Sequence, residues 1–185
     1  MTIDLRDVPK EKQNYDMCLT SVSADGCQLE FVNPALQTEE LCLAAVKQDG
    51  TALEYVQNQT PELCLEAVKQ SGWALQYVKE QTPEICLAAI KQAGWALEHV
   101  KDKSPEICLE AVKRDGYALK YIPLSKQTLS IALAALKQEP KSWKYVADRF
   151  RKPEVYEAAG WYDYEPDDLA PAYRNVKQER TEERH

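Results

Sequence analysis

The sequence predicts an all-α solenoid built from six short helical hairpins of about 22–24 residues, closed by a degenerate seventh element. Three observations predict it. First, five cysteines stand at fixed steps (Cys18, Cys42, Cys64, Cys86, Cys108, with Ala132 in the sixth place). Second, five of the six glycines keep the same ruler, Gly26, Gly50, Gly72, Gly94 and Gly116, followed by Pro140. The steps between them are 24, 22, 22, 22 and 24 residues. Third, each copy carries apolar residues on two sides of its first helix, which a lone hairpin cannot bury but a stack of hairpins can.

The copy at 82–103 shows how each position is used. Thr82 is an N-cap, its hydroxyl placed to accept from a free N–H of the first turn. Pro83 stands at the first helical position, where its missing N–H costs nothing. Glu84 favours the positive end of the helix dipole. Thr60-Pro61-Glu62 and Ser104-Pro105-Glu106 repeat the device, and Thr38-Glu39-Glu40 keeps the cap and the acid without the proline. The first helix should run to Gln92. Ile85, Cys86, Ala89 and Ile90 form one apolar face and Leu87 lies on another. Glu84, Ala88, Lys91 and Gln92 form the strip expected to face water; the slot of Ala88 reads Ala44, Glu66, Ala88, Glu110 and Ala134 along the array.

Gly94 fits the left-handed position that ends a helix, with Trp95 touching Ile90 across the ending. On that reading Gly94→Val should cost more than about 1 kcal/mol, because a β-branched residue resists positive φ. The second helix, WALEHVK, is short and completes the hairpin. The cysteine slot asks for a small apolar residue. Stacked helices about 8–10 Å apart keep equivalent cysteines too distant for a disulfide ladder.

The organisation that follows is a lead-in at 1–14, the array at 15–150, a degenerate capping segment at 151–173 and a charged tail at 174–185 expected to fray. The capping segment starts as a seventh copy at Pro153-Glu154-Val155 but reaches Gly160-Trp161 four residues early. Its acidic-aromatic run, Trp161 to Asp168, reads as a cap or as a docking peptide.

Composition excludes several function classes. The net charge of −7 disfavours a general nucleic-acid or anionic-membrane binder. The N-terminal MTIDLRDVPKEK has no apolar core of a secretory signal, and no apolar run reaches the roughly 18 residues of a membrane span, so a cytoplasmic location is expected. The sequon Asn58-Gln59-Thr60 then reads as accidental. No Cys-x-x-Cys occurs, and Cys18 and Cys27 lie nine residues apart, outside zinc-ligand spacing, so no metal and no cofactor are expected. The two histidines are His99 and His185, and no glycine-rich phosphate loop or catalytic signature is visible, so an enzyme is not expected.

Two ladders remain as candidate partner surfaces. One is the lysine ladder Lys47, Lys69, Lys91, Lys113 and Lys137; the other is the column Tyr55, Tyr77, His99, Tyr121 and Tyr145, which Phe31 begins. The expected function is a non-catalytic scaffold for a protein or peptide. The alternative is an RNA reader using one lysine per copy, opposed by Glu66 and Glu110 three residues before their lysines. Charge also drifts along the array. Copies 15–37, 38–59, 60–81, 82–103, 104–127 and 128–150 carry −3, −3, −1, 0, +1 and +2. Weak head-to-tail self-association is a further expectation.

The pattern Cys-Leu-x-Ala-Val-Lys-x-x-Gly-x-Ala-Leu-x-Tyr-Val, carried by CLEAVKQSGWALQYV (64–78) and CLEAVKRDGYALKYI (108–122), resembles the short helical repeat of domain of unknown function 4116. The resemblance covers 15–146, with the first copy weaker and the sixth lacking both Cys and Gly. It implies a bacterial-type helical-repeat protein and transfers no active site.

Overall fold

The computed structural model describes residues 3–160. The chain is an all-α repeat solenoid, and no strand occurs among the described residues. It divides into two compact units, Met1–Asp102 and Lys103–His185. In the first, α1 (Tyr15–Ala24), α2 (Glu39–Gln48), α3 (Pro61–Gln70) and α4 (Pro83–Gln92) each precede a six-residue 3-10 segment: Gly26–Phe31, Gly50–Tyr55, Gly72–Tyr77 and Gly94–His99. Each α-helix packs on the next, and each 3-10 segment on the next. The second unit repeats the pattern with α5 (Pro105–Arg114), Gly116–Tyr121, α6 (Leu129–Gln138), Pro140–Tyr145 and a short α7 (Pro153–Ala158).

The sequence dictates the helix starts. Asn14, Thr38, Thr60, Thr82, Ser104 and Thr128 each accept from the backbone N–H three residues on, as Thr82 does from Ile85 at 3.3 Å. Such a cap contributes about 1 kcal/mol. The core follows the apolar face read from sequence. Ile85, Cys86, Ala89 and Ile90 are buried, as are the four equivalents in α2, α3, α5 and α6. The 3-10 segments and the extended residue closing each add a second set, among them Ala52, Leu53 and Val56. Each copy therefore buries one α-helical stripe and one 3-10 stripe.

At the first end, Leu5 is buried and its N–H donates to Gln28 Oε1 (2.8 Å), while Ser21 Oγ donates to Ile3 O (2.8 Å). At the other, α7 packs on α6 and buries Val155 and Tyr156. The expected cap continues beyond Gly160, and both the run from Trp161 to Asp168 and the tail at 174–185 lie outside the described residues.

Three expectations need correction. The second arm of each hairpin is 3-10 rather than α-helical, since only six residues separate the glycine from the next extended turn. The first helix does not end in a left-handed residue. Ala93 closes α4 in an extended conformation (φ −154, ψ 123), Gly94 opens the next segment, and the glycine with positive φ among the described residues is Gly160 (φ 93). The φ argument for Gly94→Val and the Trp95–Ile90 ending fall with it. Finally, the slot of Ala44, Glu66, Ala88, Glu110 and Ala134 is half-buried rather than open.

The glycine answers a packing demand instead. A Cβ on Gly26 would meet the Ala45 carbonyl oxygen at 2.5 Å, and one on Gly116 would meet that of Ala135 at 2.6 Å. In these copies the turn sits directly against the helix backbone of the following copy. No described helix is long and apolar enough to cross a membrane.

Candidate functional site

A polar frame holds the surfaces in place, and it runs through glutamines that the sequence reading passed over. Gln13, Gln37, Gln59, Gln81 and Gln127 stand just before the helix caps. Gln59 Nε2 donates to Tyr77 O (2.9 Å) and Leu53 O (3.4 Å), while its Oε1 accepts from Lys79 N (3.0 Å). Gln81 does the same with His99 O (2.9 Å) and Lys101 N (2.9 Å). One side chain thus satisfies the carbonyl of the aromatic-column residue and the N–H two places further on.

The cysteines join this frame. Cys18, Cys64 and Cys86 donate weakly from Sγ to the Oε1 of the glutamine five residues before them, at 3.7, 3.6 and 3.7 Å. The slot therefore uses the thiol as well as its small volume, and Ala132 shows that packing alone can fill it. None of the six cysteines forms a disulfide. A second set of glutamines ties neighbouring copies: Gly26 N donates to Gln48 Oε1 (2.6 Å) and Gly50 N to Gln70 Oε1 (2.7 Å).

Two faces project from this frame. The α-helical face of the first unit carries Lys47, Lys69 and Lys91, and that of the second Lys113 and Lys137, all exposed. Between α3 and α4 it forms an open groove of about 640 Å³, with Leu65 and Leu87 as its floor and Lys69, Lys91, Glu84 and Gln92 around it. The rim has mixed charge, and in the second unit Lys113 pairs with Glu110 at 3.9 Å. An exposed pair of this spacing is worth only about 0.3–0.5 kcal/mol.

The 3-10 face is aromatic. Tyr55, Tyr77, His99 and Tyr121 are half-buried and Tyr145 is exposed. Sequence reasoning missed the tryptophans beside this column. Trp73 is 48% exposed. Its ring centroid lies 4.2 Å from that of Trp95 and 5.6 Å from that of His99. Spacing could have found them, since both tryptophans directly follow the repeat glycine. His99 Nε2 is buried without a hydrogen-bond partner. A stacked, half-buried His of this kind belongs to the aromatic packing.

Carboxylates surround the first unit's part of this face. Tyr77 titrates above its ordinary value through desolvation, a hydrogen bond to the Glu54 carboxylate and the charges of Glu54 and Asp49. Tyr55 is raised by desolvation and then by Glu30 and Glu54. Partial burial works to raise the Asp49 carboxyl. Hydrogen bonds from Thr51 Oγ1 (2.7 Å), Thr51 N (2.8 Å) and the Cys27 thiol together outweigh it and hold Asp49 low.

Cys27 is the exposed thiol, donating to Asp49 Oδ2 at 3.5 Å. Desolvation, Asp49, Asp25 and Glu30 all push its pKa up, so its thiolate is scarce at neutral pH. Iodoacetamide should therefore label one site in the folded chain, slowly at pH 7 and faster as pH climbs past the ordinary thiol range. Cys42, pushed up to about 11 by burial and then Glu39, should stay unlabelled until denaturant is added. Mass spectrometry of intact adducts checks this; several fast adducts at neutral pH would contradict it.

No group of three or more His, Cys, Asp or Glu able to hold a metal occurs among the described residues. The two faces offer apolar stacking, cation attraction and hydrogen bonding. The family model described as "Domain of unknown function (DUF4116)" matches the chain three times in tandem, over residues 14–59, 60–103 and 104–151.

The chain belongs to the DUF4116 family.

Each DUF4116 match spans two copies of the 22–24-residue ruler, so the family unit is a pair of α-plus-3-10 elements rather than a single one. The boundary between the second and third matches falls at 103/104, one residue from the division between the two compact units. No curated protein and no solved structure matches this DUF4116 chain.

Proposed function

We propose that this chain is a non-catalytic scaffold that binds another protein or a peptide. The observation that carries the reading is the aromatic 3-10 face, above all Trp73, left 48% exposed beside Trp95. A monomer gains nothing from half an indole in water, whereas tryptophan and tyrosine are enriched where partners dock, because they bury much area at little entropic cost. The backbone behind them, clasped by Gln37, Gln59 and Gln81, keeps that surface preorganised.

The test is affinity capture from the native host with wild type and with Trp73→Thr/Tyr77→Ala. Threonine is the residue the second copy already carries at the Trp73 slot, as Thr51, so the variant should fold. A partner enriched by wild type and lost from the variant supports the scaffold reading. A surface whose removal changes no captured protein overturns it.

A further inference from the structure

The two compact units present the same 3-10 face with opposite charge. In the first, positions 25–31, 49–55, 71–77 and 93–99 contain five acids (Asp25, Glu30, Asp49, Glu54, Glu98) and no Lys or Arg. In the second, positions 115–121 and 139–145 contain two acids, Asp115 and Glu139, and three lysines, Lys120, Lys141 and Lys144. The contrast extends beyond the face: residues 1–102 hold eight basic and sixteen acidic side chains, a net −8.

These acids form one field with the aromatics. Glu30 and Glu54 both act on Tyr55; Glu54 and Asp49 act on Tyr77; Asp25, Glu30 and Asp49 act on Cys27. Glu30, Glu54 and Glu98 are all exposed and hold the same slot of their copies, directly before Phe31, Tyr55 and His99. Aromatic faces and carboxylates are together the groups that hold a guanidinium or ammonium, the first by its π-face and the second by charge.

We propose that the acidic-aromatic 3-10 face of residues 25–99 docks a lysine- or arginine-rich segment of a partner protein, its cations held between the carboxylates and the rings of that face, Trp73 foremost. The inference rests on the scaffold reading and names its face and the chemistry of its partner. Adjacent copies about 8–10 Å apart match every third residue of an extended chain rising about 3.3 Å per residue. The fitting peptide is therefore extended, with a cation at about every third position.

The probe is a synthetic peptide of about twelve residues with arginine at every third position, titrated by calorimetry and tryptophan fluorescence, against a counterpart with glutamate in the same places. The arginine peptide should bind and the glutamate peptide should not. Raising salt from about 50 to about 500 mM should weaken binding roughly tenfold, as screening shortens below the charge separations. Glu54→Lys/Glu98→Lys should weaken it at least tenfold with an unchanged circular dichroism spectrum. Lys120 and Lys144 already occupy this slot, so the fold accepts the change. Trp73→Thr should weaken it as well.

Equal affinity for both peptides, or arginine-peptide binding retained in the double lysine variant, overturns the proposal. So does light scattering that shows the face already occupied by a second copy at low salt. If the arginine peptide fails to bind while Trp73→Thr/Tyr77→Ala still strips a partner from the capture, this inference falls and the scaffold reading stands. If neither effect is seen, both fall.

Discussion

Gly50→Ala should destabilise the protein by about 2–4 kcal/mol, while Gly72→Ala, the same substitution one copy later, should be close to neutral. The added Cβ at position 50 would land on the Ala67 carbonyl oxygen, backbone of the following helix, closer than at Gly26 or Gly116. It would also press on Gln70 Oε1 (2.8 Å) and Ser71 Cβ (3.1 Å). Overpacking of this kind costs about 1–3 kcal/mol. Moving the turn outward also stretches the Gly50 N–H bond to Gln70 (2.7 Å), worth about 1 kcal/mol more. At Gly72 the nearest atom, Ala89 O, lies 3.4 Å from the added carbon, which is ordinary contact. Restricting the unfolded chain there returns up to about 1 kcal/mol. Urea midpoints of the two variants decide the matter. A reading based on positive φ predicts equal losses at both sites, and equal losses would overturn the packing account.

The same pair of glycines shows where the sequence was legible. The period, the caps and the buried helical face could be read because each depends on residues within one copy. Thr82 needs only the free N–H of Ile85, and Ile85, Cys86, Ala89 and Ile90 share a face by helical geometry alone. The glycine ruler was equally visible, but its cause was not. A glycine after a helix suits a left-handed ending and suits a close approach, and only the neighbour's carbonyl distinguishes them. The 3-10 arm was hidden for a related reason. Ala96, Leu97 and Val100 present an apolar side in a 3-10 segment much as they would in one turn of α-helix, so spacing cannot separate the two.

The surfaces divide in the same way. The lysine ladder and the Tyr/His column were readable as ladders, since their slots recur. Trp95 was read as a helix-ending contact with Ile90, because the expected left-handed glycine turned it inward. With Gly72 opening a 3-10 segment, the residue after it projects outward, and the aromatic face gains its most exposed ring, Trp73. The charge drift read copy by copy takes its physical meaning only there. It places Glu54 and Glu98 beside rings in the first unit and Lys120 and Lys144 at the same slot in the second.

Gln127→Met should cost about 2–5 kcal/mol, the largest loss from replacing any clasp glutamine. Gln127 is only 2% exposed. Its Nε2 donates to Tyr145 O (2.8 Å) and Ile122 O (3.3 Å), and its Oε1 accepts from Ala147 N (2.7 Å). Methionine keeps most of the volume and removes every one of these bonds, leaving the Ala147 N–H and the Ile122 carbonyl without a partner away from water. Each such group costs about 1–3 kcal/mol. The helix that follows Gln127 has Ala132 where others have cysteine, so no thiol is there to rotate in and help. Gln37→Met is the internal control. Its bonds to Tyr55 O (3.2 Å) and from Gln57 N (3.3 Å) are longer and lie nearer solvent, so water replaces them and the loss should be about 1 kcal/mol. Urea denaturation followed by circular dichroism measures both. A Gln127→Met loss no larger than that of Gln37→Met would mean that the clasp does not depend on burial, and that the frame behind the aromatic face is held by side-chain packing instead.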